Sequence, residues 1–490
     1  MRIKQYIKPF LFASLLAAPL TACEDYLEVT PPGEFASNNV LTNEAGLTSL
    51  LYSAYTNYNI QNIYKDVINM EEVTTDMAFN SGGGENRTLS LFINFTWDPS
   101  VAWLEVDMWN QAYFAIRDAN LLIDNVDNSD ADEAMKAQLK AEARYIRATE
   151  YAFLYGWFGS VPLVVSSTDA EPKGRASEEE IKDFIAMELS EIVADLPAPG
   201  QEAQYGRASK GHALGILTKF YLNTKQWQKV VEVSQQLMDL GYYELYPDFT
   251  KLFRVENEQN REMIVAWPQI ADLQLGNMFP NGAVPPGFQY SEKLPELVWT
   301  TGMSNWATQY RLRDEFVDSF DPTDARFGLI IEDYINLQGK KVNLRNTPDN
   351  SRSLKFFDNN ALGNFHGNDT PIVRYADILL SRAEALNEIN GPTQEALDLI
   401  NQVRNRAGLA DLTMTEASSK EALRDLILQE RGWEFVSEAK RREDLIRHGK
   451  FVSKAQARGV NAQGFHVRFP IPEKEMNSNP ALEGQQNQGY

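Results

Sequence analysis

The sequence predicts a mainly α protein in which paired helices form a scaffold and an irregular part carries short strands. Three observations lead there. Apolar residues recur at three- and four-residue spacing within two stretches, about 40–246 and 371–450, as they do on helices with one buried face. Helix-start and helix-stop signals punctuate those stretches. Between them, from about 247 to 370, the periodicity fails and Gly, Pro, Asn and aromatic residues accumulate.

Taken in order, Trp109, Tyr113, Ile116, Asn120 and Ile123 mark one helical stripe. A second helix spans about 133–157 through Leu139, Ala143, Ile146, Phe153 and Leu154. The capping box Ser177-Glu178-Glu179-Glu180 opens a third, which carries Ile181, Phe184, Ile185, Leu189 and Ile192 and stops before Pro197. Two more cover about 209–222 and 226–240, ending at Gly241. Their link, Asn223-Thr224-Lys225, is short enough to make them an antiparallel hairpin. The second region opens at Pro371 and holds Tyr375, Leu379, Ala383 and Leu386 before Gly391-Pro392 breaks it. A partner helix follows over about 393–407, ending at Gly408. A further box, Ser418-Ser419-Lys420-Glu421, starts the last long helix through Leu423, Leu426, Ile427, Trp433 and Phe435. Pairs of about 34 residues resemble tetratricopeptide units, most closely at 209–240 and 375–408. Met263-Ile264-Val265-Ala266-Trp267 reads as a strand in the irregular part. Residues 76–100, with Gly82-Gly83-Gly84, share that irregular character.

Arg2, Lys4 and Lys8 precede an apolar run that ends at Leu20-Thr21-Ala22, directly before Cys23, the sole cysteine. A basic start, a short apolar core and small residues make residues 1–22 a secretory signal, too short to span a bilayer. A cysteine placed there looks like a lipobox, so the mature chain is expected to begin at a lipidated Cys23 and hang from a membrane. Cys23-Glu24-Asp25-Tyr26-Leu27-Glu28 sets two acids behind the anchor, resembling the signal that sends some lipoproteins to the outer leaflet of the outer membrane.

Composition and motifs narrow the chemistry. Loss of residues 1–22 removes three basic residues and no acid, leaving a chain more negative than the full sequence's −22. That counts against nucleic acid, whose phosphates demand a basic footprint. His212, His366, His448 and His466 form no His-Glu-x-x-His, and one cysteine gives no zinc cluster. The sequence has no Gly-x-Ser-x-Gly elbow and no phosphate-cradling glycine loop. The acidic run 127–132 lacks the pattern of a calcium loop and reads as the solvated start of the next helix. No cofactor or metal is expected, and no enzymatic activity. A lipid-anchored glycosidase with two opposed carboxylates stays open as an alternative, as does a purely structural repeat scaffold.

Near the C-terminus stand Arg431-Gly432-Trp433-Glu434-Phe435, then Glu438-Ala439-Lys440-Arg441-Arg442-Glu443-Asp444-Leu445-Ile446-Arg447. Phe469-Pro470-Ile471-Pro472, Asn479-Pro480 and the final Asn487-Gln488-Gly489-Tyr490 follow. With Phe158-Gly159-Ser160-Val161-Pro162 and Arg374-Tyr375-Ala376-Asp377 upstream, this ordered set resembles the SusD/RagB family of outer-membrane nutrient-binding lipoproteins. The resemblance implies one SusD-like domain over 23–490: four tetratricopeptide-like helix pairs with an irregular ligand-binding part. It implies a cell-surface glycan binder, without chemistry of its own, that serves a SusC-like TonB-dependent transporter. Peptide capture, as in the RagB branch, is the alternative. The charged C-terminal run reads as structural, with Glu434, Glu438, Arg441, Arg442, Asp444 and Arg447 spaced for helix ion pairs.

A neutral sugar is held in water by stacking its C–H face on an aromatic ring, with amides and carboxylates taking the hydroxyls. Trp109, Trp157, Trp227, Trp267 and Trp433 fall in helical or strand-like runs and read as core. Trp97, Trp103, Trp299 and Trp306 fall in irregular stretches and are the expected platform, with Tyr310, Asp76, Asn80 and Arg87 as its polar edge.

Overall fold

A computed structural model of the chain describes residues 41–58, 61–169, 171–272, 275–306 and 309–490, and of 61–66 the backbone only. Cys23 and the signal ahead of it lie outside these residues. Helices α1 (Glu44–Tyr58) and α2 (Gln61–Val73) begin the described chain, and the short α3 (Asn86–Asn94) follows. A π-helical turn, Leu104–Asn110, runs into α4 (Gln111–Asn125), followed by α5 (Glu133–Phe158) and α6 (Glu178–Glu191). Then come α7 (Lys210–Asn223) and α8 (Trp227–Met238). After the irregular part, α9 (Tyr375–Asn390), α10 (Gln394–Arg406), α11 (Lys420–Glu434) and the short α12 (Arg441–Arg447) complete the scaffold.

The scaffold is a row of packed helices. α1 lies on α4, α4 on α5, α5 on α6, α7 on α8, α8 on α9, and α9 on both α10 and α11. Four neighbouring pairs result, α1–α4, α5–α6, α7–α8 and α9–α10, so the expected repeat-like hairpins are present. Each apolar stripe buries against its neighbour: Leu139, Ala143 and Ile146 of α5 and Ile181, Ile185 and Leu189 of α6 are fully buried or nearly so. The starts are capped as the sequence indicates. Asp132, in the acidic run before α5, accepts from the Met135 N–H at 2.8 Å. Ser177 accepts from the Glu180 N–H at 3.1 Å, and the Glu180 carboxylate reaches back to the Ser177 N–H. Gly391, with φ of 76°, ends α9 in a conformation that disfavours other residues. At α11 the cap is Ser419, one residue later than expected, and it accepts from the Ala422 N–H at 3.1 Å.

Strands are few and short; besides the two-residue pair Ile330–Ile331 with Arg352–Ser353, they are β1 (Ala78–Asn80), β2 (Met263–Trp267), β3 (Phe288–Ser291), β4 (Leu294–Val298), β5 (Tyr310–Leu312), β6 (Asp333–Asn336), β7 (Lys341–Asn343) and β8 (Thr370–Arg374). They pair antiparallel as β1 with β5, β2 with β8, and a four-stranded sheet in the order β4-β3-β6-β7. β8 corrects the expectation that Pro371 opens a helix. Ile372 and Val373 are β-branched, all five β8 residues are buried, and the segment pairs with β2 before α9 starts at Tyr375.

The charged C-terminal run is structural, but not through pairs along one helix. Its backbone breaks between α11 and α12, where Ser437 and Ala439 have φ of 63° and 56°. The side chains therefore turn inward and pair across the chain. Glu434 is gripped by Arg374 at 2.9 Å and Arg406 at 2.5 Å, and Glu438 by Lys355 at 2.5 Å and Arg374 at 2.8 Å. Arg431 joins Asp377 and Asp444, each at 2.8 Å, and Arg441 holds Asp76 at 2.9 Å. Of the expected local pairs, Asp444–Arg447 is present, at 2.7 Å. Among the described residues, no helix is long and apolar enough to cross a membrane.

Candidate functional site

The structure separates the expected platform into two sets. Four of its members are interior. Trp97 is 3% exposed, and its ring lies among Phe92, Phe95, His466 and Phe469. Its Nε1–H donates to the Tyr490 hydroxyl at 2.7 Å, so this tryptophan anchors the C-terminus and presents no ring face to a ligand. Tyr310 is 1% exposed and donates its hydroxyl to the Glu72 carboxylate. Burial and that carboxylate both push the phenol well above its ordinary value. Asp76 is buried against Arg441 and Lys454. Burial alone would raise its carboxyl, but the two cations overcome this and hold it well below the usual range. Asn80 is buried, accepting from the Gln309 N–H at 3.0 Å and donating to Asn86 Oδ1 at 2.9 Å. Sequence alone hid these roles because the deciding partners, Tyr490, Glu72, Arg441, Lys454 and Gln309, are distant along the chain.

Trp103 is half-buried against the apolar core at the head of the π-helical turn. The chain on either side of it meets the C-terminal segment: the Glu473 N–H donates to the Pro99 carbonyl at 2.9 Å and Lys474 meets Glu105 at 2.7 Å. Of the tryptophans assigned to the core, Trp109 and Trp267 are buried, and Trp157, Trp227 and Trp433 pack on the core half-buried.

Trp299 and Trp306 remain, both in the 298–306 segment; Trp299 packs half-buried on the core as Trp103 does, and its N–H donates to the Gln289 carbonyl at 2.7 Å. The loop 298–306 runs beside the loop 359–365. The Val298 N–H donates to Asn359 Oδ1 at 3.0 Å, the Gly363 N–H to the Gly302 carbonyl at 2.8 Å, and the Ser304 N–H to the Gly363 carbonyl at 2.7 Å. Trp306 is half-buried, and its Nε1–H donates to Asn364 Oδ1 at 2.9 Å. Its backbone N–H donates to the Asn281 carbonyl at 2.9 Å, and Asn281 Nδ2 donates to the Asn364 carbonyl at 2.7 Å. The indole is thereby fixed at its polar edge. Exposed aliphatic residues continue the surface. Leu362 is 55% exposed and bridges Phe365, while Ile270, 48% exposed, bridges Leu275. Gly276 joins the two, because a Cβ there would sit 2.6 Å from Phe365 Cβ.

The polar edge comes from the β1–β5 side. Gln309 Nε2 donates to the Trp306 carbonyl at 2.9 Å, and the Ser81 N–H donates to the Gln309 carbonyl at 3.2 Å. Ser81 therefore joins the Trp306 loop through Gln309, and Arg87 is exposed six residues farther along the same segment. The sequence reading missed Asn281, Asn359 and Asn364. The cluster Asp358-Asn359-Asn360, with Asn364 and Asn368 just beyond, is the signal that marks them.

Two carboxyls in this lobe have raised values. Burial lifts Asp369 to about 6, and burial together with Asp369 lifts Glu258 to about 8. Asp369 accepts from the Tyr205 hydroxyl at 2.6 Å and the Gln269 N–H at 2.9 Å, and Glu258 accepts from the Asp369 N–H at 2.9 Å. They fasten loops together. Among the described residues, no three His, Cys, Asp or Glu side chains gather as a metal site. The surface offers ring stacking and hydrogen bonds to hydroxyls.

A model of the SusD family matches residues 240–490, and one described as starch-binding associating with outer membrane matches residues 25–222. The chain is 25% identical to SusD-like protein P25 of Formosa agariphila, covering 94% of this chain and 95% of that protein. It is 23% identical to the starch-binding protein SusD of Bacteroides thetaiotaomicron, covering 99% of each. Among solved structures, a laminarin binding SusD-like protein superposes with a TM-score of 0.77 at 24% identity, over 92% of this chain and 100% of that one. Surface glycan-binding protein A of Bacteroides thetaiotaomicron, in complex with laminarihexaose, gives 0.75 at 20% identity, over 91% and 100%. The structural likenesses agree with the helical scaffold and its small sheets.

Proposed function

The chain belongs to the SusD family, and from that premise we propose that it captures oligosaccharides at the cell surface on the 298–306 and 359–365 loops. The observation that carries the reading is Trp306: a half-exposed indole, pinned through Asn364, on an irregular surface edged by amides, with the exposed Arg87 farther along. Starch and laminarin binding by relatives supports a glucan as the first class to try. The protein binds without turning its ligand over. Electrophoresis through gels containing amylopectin, laminarin or another soluble glycan tests this. Retardation by at least one glycan, with no new products released, is expected. Free migration in every gel, or release of shorter sugars, would overturn it.

We place the single domain over 23–490 on the outer membrane, tethered through lipidated Cys23 and serving a SusC-like TonB-dependent transporter. Cys23→Ala should abolish fatty-acid labelling and membrane retention, and protease added to intact cells should digest the wild type. Mild-detergent purification of tagged protein should recover a large β-barrel partner; recovery of monomer alone would count against the partnership. Peptide capture is a second reading, supported by the exposed Ile270, Leu275 and Leu362. Peptide binding that Trp306→Ala abolishes, with no glycan retarding the wild type, would replace the first.

A further inference from the structure

A cleft of about 190 Å³ opens in the helical scaffold between α5, α7 and α12, walled by elements other than the loops proposed above. One side is apolar. Phe153 and Trp157 stack with centroids 5.7 Å apart and planes 25° apart, and Trp267 meets Phe153 edge-on at 6.3 Å. The other side is charged, and its groups can be followed one by one. Lys219 pairs with Asp377 at 3.1 Å and Glu443 at 2.6 Å. Arg447 pairs with Glu384 at 2.6 Å and Asp444 at 2.7 Å. Arg468 donates to the carbonyls of Tyr155 and Gly156 at 3.0 and 2.8 Å. Both lining acids are already engaged: Glu71 accepts from Trp157 Nε1 at 2.8 Å, and Glu443, besides Lys219, accepts from Asn223 at 2.8 Å.

One ammonium and one guanidinium N–H remain. Lys440 lines the cleft at 9% exposure, and among the described residues its ammonium has no hydrogen bond and no carboxylate within ion-pair distance. Burial pulls its value down and the Lys219 charge adds to this, while Glu443, Asp377 and Glu438 attract it from farther away. Arg442 beside it is largely engaged: its Nη2 donates to the Val467 carbonyl at 3.1 Å, its Nη1 pairs with Glu71 at 3.8 Å, and its guanidinium lies 4.3 Å from the Phe469 ring centre and 5.3 Å from that of Phe451, which leaves its buried Nε as the one donor without an acceptor among the described residues. Burying unpaired cationic donors beside an apolar wall is unfavourable unless something negative completes the site.

We propose that this cleft binds a small organic anion, its carboxylate paired with Lys440 and Arg442 and its apolar body laid against Phe153, Trp157 and Trp267. The volume is below the roughly 300–1,000 Å³ of pockets for drug-sized ligands, so the ligand is the size of a single ring or a short acyl chain. A neutral sugar does not meet this chemistry, which makes the cleft a second site.

Saturation-transfer NMR on the full chain, with benzoate, hexanoate and benzyl alcohol as probes, tests the assignment. Both carboxylates should receive saturation at millimolar concentration, and benzyl alcohol, the same ring without the charge, should bind at least tenfold more weakly. Lys440→Met should weaken benzoate at least tenfold. Gly156→Leu gives an independent variant, since a Cβ at Gly156 has open space around it and the larger side chain narrows the mouth of the cleft. It should also lose benzoate, with an unchanged thermal midpoint, and it decides the matter if Lys440→Met does not fold. Absence of saturation by either carboxylate, equal binding of benzyl alcohol, or wild-type benzoate binding in Gly156→Leu overturns the proposal.

Discussion

The scaffold and the irregular lobe solve the same problem, polar groups inside a folded chain, with different side chains. In the scaffold the helices satisfy their own backbone, so buried polarity is free to link one element to another. Arg374 does this by gripping Glu262 on one side and Glu434 and Glu438 of the C-terminal run on the other. In the lobe the backbone is irregular, and its N–H and C=O groups need partners. An amide both donates and accepts, and there Asn281, Asn359, Asn364 and Asn368 hold the loops alongside charged fasteners such as Arg326–Asp324, Asp369 and Glu258. Asn359 accepts from the Val298 N–H and donates to the Glu296 carbonyl at 2.7 Å; Asn368 donates to the Phe253 carbonyl at 2.9 Å. Charge pairs staple distant elements into a frame, whereas amides hold loops in shape and leave a neutral surface suited to hydroxyls.

This contrast is most open to breakage at Arg374. Arg374→Met takes a shared cation from three buried carboxylates, leaving them to Arg406, Arg326 and Lys355, and the loss should reach about 3 kcal/mol in urea unfolding. The pH dependence should change with it. Burial alone would raise Glu434, but Arg406, Arg374 and Arg326 hold it below the ordinary range. Its stabilisation is therefore full above the unfolded carboxylate value, about 4, and is lost as pH falls through the folded value. The variant should show a flatter decline below pH 4 than the wild type; an unchanged decline would mean this network does not set the acid limit.

Trp97→Ala comes next, at the lower end of the roughly 3–5 kcal/mol for emptying a buried aromatic site. Its folded fraction should bind glycan as the wild type does. Selective loss of binding would return Trp97 to the ligand surface. Asn281→Ala removes donors to the Met278 and Asn364 carbonyls and should cost roughly 1–3 kcal/mol. Because Asn281 and Asn364 together position Trp306, glycan affinity should fall as well, which isothermal titration would record. The smallest effect belongs to Arg87→Ala, an exposed position where stability should move by less than about 0.5 kcal/mol while affinity drops a few-fold. A stability loss comparable to Asn281→Ala would make Arg87 a fastener like its neighbours.

The scaffold was the legible part of the sequence because helices are written locally. Ser177 with Glu180, Thr393 at the head of α10 and the stripe through Ile181, Ile185 and Leu189 all lie within a few residues of what they control. β8 was misread because Pro371 serves equally at a helix start and in a short strand, and only β2, more than a hundred residues away, decides between them. The surface proposed for the ligand was half legible. Trp299 and Trp306 stood out as tryptophans outside any stripe. Trp97 and Tyr310 looked the same, yet their partners, Tyr490 and Glu72, lie hundreds of residues distant. The ionic frame was visible as a charged run, but its pairings were not, since a break at 435–440 redirects each side chain.

The central claim is that the irregular lobe captures the glycan while the helices frame it. Hydrogen exchange of the full chain, with and without a glycan that retards it in gels, reads this directly. Added protection should concentrate at 298–306 and 359–365, with a lesser share at 81–87, and the amides of α7, α8 and α10 should exchange unchanged. Protection confined to those helices, with the 298–306 and 359–365 loops unaltered, would contradict the account.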